Sequence, residues 1–246
     1  MKKLTSLFAA IALLTPVVLS AAAFEGKVTM QMTGSRGRSM PMTFSVKPGF
    51  TRIDMSAHDH TVGVIIDQAK RETTILMPQQ KMYMVRPMPA EDASAPAQGG
   101  SGGNVSVEKT GVHEKILGYD TTKYIAKTSE GTTELWVTDE LGTFMGLGNG
   151  GGNPMAGAFG GRQPAQGGGH AWEGAFRGKN MFPLRVTTTN AQGTETFRME
   201  ATSVEKVSLP DSVFAPPADY RKLDIENMMR GMGMPGMGGM RPRGGG

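Results

Sequence analysis

Apolar and β-branched residues recur at every second position through much of the chain, which is typical of strands with one buried face. The alternation is clearest between Phe50 and Arg86, where strand-like segments follow one another with only short turns between them. Two of these turns are Gln68–Lys70 and Pro78–Gln80. Because connections this short join only antiparallel neighbours, the stretch predicts a β-meander.

The same pattern predicts further strands on both sides of the meander. They are Phe24–Met32, Met40–Val46, Val105–Lys109, Tyr119–Thr128, Thr132–Thr138, Phe182–Thr189 and Thr194–Ala201. Helical signals are short. Trp172 and Phe176 lie four residues apart, which predicts a short helix within His170–Lys179. Leu209–Phe214 predicts one helical turn with Asp211 or Ser212 as its cap. A flat sheet of roughly ten strands would leave long bare edges. We therefore predict a mainly β domain, a single curved antiparallel sheet forming an incomplete β-barrel with a few short helices.

Glycine is concentrated in three segments of the chain, which carry most of its 35 glycines. Long glycine-rich insertions in surface loops add little to the entropy of closing the loop, so a stable sheet can carry them. We predict one β domain over residues 24–226, with flexible insertions at 87–103 and 148–169. Residues 227–246 are predicted to form a disordered tail rich in methionine and glycine.

Residues 1–23 have the pattern of an export signal. Two lysines precede the apolar run Leu4–Leu19, and Ala21–Ala23 provides an A-x-A cleavage site. A membrane anchor is disfavoured by Pro16 and by a run shorter than the roughly 20 residues that a span needs. We predict a periplasmic or secreted protein that begins at Phe24 and has no transmembrane segment after cleavage.

The chain has no cysteine, which excludes disulfides, thiolate metal sites, thiol catalysis and a lipid-anchored form. Its formal net charge is only +4, from 26 basic and 22 acidic residues. The basic residues are also scattered, so no nucleic-acid partner is predicted.

No nucleophile, base and orienting group can be assembled from neighbouring residues, so we predict neither an enzyme nor a cofactor. Gly99–Gly103 matches the nucleophile-elbow pattern, and Gly231–Gly236 matches the dinucleotide fingerprint. Both lie in glycine-rich segments without the strand and helix that these motifs need, so both matches are attributed to chance.

Two groups of residues are weak candidates for metal ligands. His58 and His60 would share one face of a strand, and imidazoles suit Zn²⁺ or Cu²⁺; the alternative is an exposed turn. The tail offers thioethers, which select Cu(I); the alternative is a low-complexity end without a ligand. These tail methionines are Met228, Met229, Met232, Met234, Met237 and Met240.

Other methionines fall at strand spacing, among them Met30, Met32, Met40, Met42, Met82 and Met84. The simpler interpretation is that they fill a core. The alternative is that they form a pliable wall for varied apolar ligands, since the methionine side chain is flexible and polarisable.

Five segments together resemble the DUF4412 family of exported bacterial proteins. They are Phe24–Val28, Asp67–Tyr83, Ile116–Tyr124 with Glu134–Thr138, and Leu209–Tyr220. The family looks distantly related to LolA-like lipoprotein carriers, so the resemblance implies a curved, incomplete barrel that shelters acyl chains. It transfers no functional residue.

The strand pattern and the resemblance together predict an exported, non-enzymatic binding protein. Its apolar concavity would take a lipid, a lipoprotein or another hydrophobic ligand. Two alternatives remain: Cu(I) handling through the tail, and an envelope scaffold.

Overall fold

The computed structural model describes residues 23–57, 60–88, 105–129, 131–144, 172–176 and 179–224. In chain order its strands are β1 (Gly26–Gly34), β2 (Ser39–Lys47), β3 (Phe50–Ala57), β4 (His60–Asp67), β5 (Glu72–Met77), β6 (Met82–Pro87), β7 (Ser106–Ile116), β8 (Tyr119–Thr128), β9 (Gly131–Thr138), β10 (Phe182–Asn190), β11 (Glu195–Lys206) and β12 (Arg221–Lys222). One short helix, α1 (Glu173–Phe176), precedes β10, and single 3-10 turns occupy Pro78–Gln80 and Asp211–Phe214. No helix within these ranges has the length and apolarity needed to cross a membrane.

All the strands belong to one sheet, in the order β12-β6-β5-β4-β3-β2-β1-β11-β10-β9-β8-β7. The order comprises two antiparallel meanders, β1–β6 and β7–β11, which are joined where β1 pairs with β11. The sheet is not closed, because β7 and β12 stand at opposite ends of the order.

The sheet curls around one apolar core. Val64 on β4 and Leu135 on β9 lie on opposite sides of β1 in the strand order, yet both belong to the same buried cluster. Phe44 on β2 is fully buried in that cluster. We call the face that contributes these side chains the inner face. The other face of the sheet is the outer face.

The predicted fold class is therefore confirmed, with differences in detail. β7 runs on to Ile116 and β11 to Lys206, beyond the predicted ends, because bulges interrupt the alternation on which the prediction rested. The sheet is also mixed, since β12 pairs with β6 in parallel. The predicted signal, the insertion at 148–169, the tail and nearly all of the insertion at 87–103 lie outside the described residues.

Residues 207–223, which we call the strap, cover part of the outer face. Leu209 and Phe214 of the strap are buried with Ile65 and Leu76, which point outward from β4 and β5. The Phe214 ring lies 5.5 Å from the ring of Phe50, measured between centroids. The strap thus gives the outer face of β3–β6 a small apolar core of its own.

Polar contacts fix both ends of the strap. The Leu209 backbone N–H donates to Glu25 Oε1 at 2.5 Å, next to the start of β1. At the other end the Leu223 backbone N–H donates to the carbonyl oxygen of Tyr83 at 2.7 Å, beside the edge strand β6. Because an unpaired strand edge invites pairing with other chains, the strap also shields part of this edge.

The turn within the strap has a different start from the predicted one. Pro210 occupies the capping position, and neither Asp211 nor Ser212 caps the turn through its side chain. Asp211 instead forms an ion pair with Lys47 on β2, and this contact lowers the pKa of the Asp211 carboxyl. The carboxylate therefore joins the strap to the sheet.

Replacing Phe214 with alanine should destabilise the domain by about 3–5 kcal/mol, the usual loss for a buried phenylalanine. Urea unfolding followed by circular dichroism measures the change. Val207→Ala is the matched control: Val207 lies in the same strap but is 44% exposed, and its loss should stay within about 0.5 kcal/mol. Equal losses for the two variants would show that the strap does not pack as described.

Candidate functional site

The centre of the inner face is filled by aromatic rings. Phe44, Phe144 and Phe182 surround one another, with ring centroids 5.4 to 5.5 Å apart. Trp172 stacks on Phe144 at 5.8 Å, and it is 1% exposed. Such contacts add to the apolar burial of each ring, so this aromatic cluster is solid core.

The connection between β9 and β10 supplies much of this aromatic cluster. Phe144 follows β9 and is held by a backbone hydrogen bond to the Met181 carbonyl at 3.0 Å. Trp172 directly precedes α1, and Phe176 is its last residue. The Phe176 ring packs edge-on against the Tyr124 ring of β8, with the centroids 5.3 Å apart. The predicted short helix near these two residues is confirmed. It serves to place their rings over the sheet.

Methionines occupy the inner face on one side of the aromatic cluster. Met30, Met42 and Met55 lie directly opposite one another on β1, β2 and β3, and each is at most 7% exposed. Two residues further along, Met199, Met32 and Met40 lie opposite one another on β11, β1 and β2. The methionines thus form two parallel rows, both on the inner face. We call Met30, Met42 and Met55 the inner row, and Met199, Met32 and Met40 the outer row.

A further pair continues the first row across the sheet. Met77 on β5 lies opposite Met82 on β6, and both side chains are half-buried. We call the whole group the methionine end of the inner face. Its members are Met30, Met32, Met40, Met42, Met55, Met77, Met82 and Met199.

Burial falls from the aromatic cluster toward the methionine end. Val28 and Phe44 form a buried pair, whereas the pair Met32 and Met40, four residues further along the same strands, is half-buried. Four residues of strand correspond to about 13 Å. Phe197 on β11 is half-buried next to the outer row. The inner face is therefore closed at its centre and accessible at its methionine end.

Two ion pairs lie on the outer face of the strands β8 to β11. Lys123 Nζ lies 2.8 Å from Glu134 Oε2, and Arg185 Nε lies 3.0 Å from Glu200 Oε1. Among the residues that the structure describes, no group of three or more His, Cys, Asp or Glu side chains could hold a metal ion. The methionine end therefore offers mainly thioethers and apolar groups, with the Arg221 guanidinium 3.8 Å from the Met82 sulfur.

The predicted metal ligands are not brought together by the described part of the structure. His58 and the six tail methionines, Met228 to Met240, lie outside the described residues. His60 is the first residue of β4 and lies opposite Ala57 in the register. Metal binding by these residues stays a prediction.

Sequence reasoning identified several methionines of the methionine end but not their arrangement. Met55, Met77 and Met199 were missed, and strand spacing alone could not place Met199 beside Met32. That neighbourhood depends on the pairing of β1 with β11, which are separated by most of the chain. An unusual excess of methionine at strand positions was the available signal.

Comparison with known proteins identifies a family and distant structural neighbours. The family model described as a domain of unknown function (DUF4412) matches residues 24–220. Among curated protein sequences, none matches this chain.

Three solved structures illustrate the fold-level likeness. An uncharacterized conserved protein from Thermus thermophilus shares 10% identity at a TM-score of 0.48, covering 84% of this chain and 93% of the other. A LolA superfamily protein from Nitrosomonas europaea shares 12% identity at a TM-score of 0.31, with 80% and 91% covered. The MucA/MucB complex from Pseudomonas aeruginosa shares 11% identity at 0.42, with 80% and 57% covered. The chain thus spans little more than half of that last structure.

The aromatic cluster predicts that the two tryptophans differ in their access to solvent. In a Trp136→Phe variant the remaining Trp172 should emit at short wavelength and resist quenching by acrylamide. In a Trp172→Phe variant the half-buried Trp136 should be quenched more readily. In urea the two variants should be quenched alike, which controls for intrinsic differences. Equal quenching of the folded variants would mean that the centre of the inner face is open.

Proposed function

The chain belongs to the DUF4412 family, and from this premise we propose that it is an exported, non-enzymatic protein that binds an apolar ligand. The ligand class is a lipid acyl chain, free or attached to a lipoprotein. The observation that carries the proposal is the methionine end, where four apolar side chains of the inner face are half-buried: Met32, Met40, Met77 and Met82.

Methionine suits such a binding surface. Its unbranched thioether side chain has three rotatable bonds and adapts to ligands of different shape. Met32, Met40, Met77 and Met82 are half-buried, and they stand beside the buried row of Met30, Met42 and Met55. A bound chain would complete the burial of the outer side chains, and this loss of apolar surface from water would drive binding.

The filled centre limits where a ligand binds. The rings of Phe44, Phe144 and Phe182 are in mutual contact, so the ligand would lie along the methionine end and would not pass through the domain. The unclosed sheet adds access, because β6 and β7 each contribute half-buried apolar side chains, Met84 and Val107, to the border of the same core. The proposal therefore specifies a shallow site at one end of the sheet.

Delipidated protein should bind a fluorescent fatty acid. The double variant with Met32→Gln and Met40→Gln should bind it about tenfold more weakly or worse, which is a loss of ~1.4 kcal/mol in binding free energy. The expected loss is below the ~1.5–3 kcal/mol gained on burying each such side chain. Fluorescence titration gives the affinity. Leu117→Gln is the control, since Leu117 is 45% exposed in the turn after β7 and away from the methionine end. No uptake by the unaltered protein, or an equal loss in the control, would refute the proposal.

Export is the second part of the proposal. In support of this, Phe24 is buried and Glu25 accepts hydrogen bonds from the strap, so the residues directly after the predicted cleavage site belong to the packed domain. Protein recovered from the cell envelope should have the intact mass of a chain that starts at Phe24, as measured by mass spectrometry.

Ala23→Phe should block this cleavage, because the site needs a small residue there, whereas Ala22→Leu should still be cleaved. Full-length protein confined to the cytoplasm would contradict export.

A further inference from the structure

The outer methionine row brings three thioethers side by side. Met199, Met32 and Met40 lie on adjacent strands and directly opposite one another, so their side chains leave the same face. Neighbouring strands are about 4.8 Å apart. The methionine side chain has three rotatable bonds, so sulfur atoms on neighbouring strands at this spacing can turn toward one shared ion.

Methionine is confined to one part of the buried inner face, and this separates the row from ordinary core. The buried methionines are Met30, Met42, Met55 and Met199, all on the neighbouring strands β11, β1, β2 and β3. β4, β5, β9 and β10 fill their buried inner positions with residues such as Val64, Ile75, Leu135 and Val186. β-Branched residues suit strands better than methionine does. These four strands add buried methionines to ordinary core residues such as Val28 and Ile53, and this concentration of thioethers sets their part of the inner face apart.

On β1 and β2, the two rows differ in the solvent exposure of their side chains. Met30 and Met42 of the inner row are at most 1% exposed, whereas Met32 and Met40 of the outer row are half-buried. A cation in the outer row keeps contact with water, which lowers the free-energy penalty of placing a charge beside apolar groups. Met199, which is fully buried, fixes one side of the site.

We propose that Met199, Met32 and Met40 form a binding site for a soft monovalent cation, of which Cu(I) is the biological example. Neutral thioethers select soft ions, while hard ions such as Mg²⁺ and Ca²⁺ prefer oxygen ligands. Thioethers have no proton to lose, so binding does not require ligand deprotonation. The site goes beyond the binding of an apolar ligand and is separate from the tail methionines.

Silver(I) in chloride-free buffer is the probe, because it is a soft monovalent ion that is not redox-active under these conditions. The full-length protein is labelled with ¹³C at the methionine methyl groups, and Met32→Leu, Met40→Leu and Met199→Leu assign three signals by their loss. Substoichiometric Ag(I) should shift these three signals. Leucine is close to methionine in volume, so the variants should keep the fold.

Matched variants decide the outcome. Met32→Leu with Met40→Leu should abolish the Ag(I)-induced shift of Met199, while Met77→Leu with Met82→Leu at the same end of the sheet should leave it unchanged. A variant with leucine at all six tail methionines should also keep the shifts. Shifts limited to the tail signals, or a Met199 shift that survives the Met32 and Met40 changes, would overturn the proposal.

The fatty-acid titration separates this site from the proposed function. Silver shifts in a protein that binds no fatty acid would support the cation site and refute only the apolar-ligand function. Fatty-acid binding without shifts of the three signals would refute the cation site alone.

Discussion

The pairing of β1 with β11 is the interaction on which the rest of the structure depends. It joins two meanders that are separate along the chain into one sheet of twelve strands. Only the joined sheet is wide enough to curl until β4 and β9 share a core. Without this ladder each meander would expose its apolar face, because a single curved layer needs something to cover it.

The two faces of the sheet are covered by different means, and this leaves one region accessible. On the inner face, the β9–β10 connection places Phe144 against Phe44 and stacks Trp172 on Phe144, which closes the centre. On the outer face, the strap covers β3–β6 through Leu209 and Phe214. Among the described residues, the aromatic cluster fills the centre of the inner face and the strap lies on the outer face, while Met32 and Met40 stay half-buried.

Much of the fold could be predicted from residue alternation, whereas the site could not. Strands such as Phe50–Ala57 and Gly131–Thr138 were readable because buried side chains alternate with more exposed ones along most of their length. The parallel strand β12 was not, since two residues carry no period. The methionine rows also depend on long-range register, which places Met199 opposite Met32 and which no local pattern encodes.

The β1–β11 ladder also determines the order in which the chain can fold. Thr29 and Thr202 are in hydrogen-bond contact although 173 residues separate them, so the middle of the sheet is assembled from opposite ends of the sequence. Contacts at such separation form slowly, because the loop entropy must be lost before the contact stabilises anything. A chain delivered from its N-terminus would hold β1–β6 as a half-sheet until β11 arrived. During that interval the apolar face of the half-sheet would be open to chaperones and to aggregation.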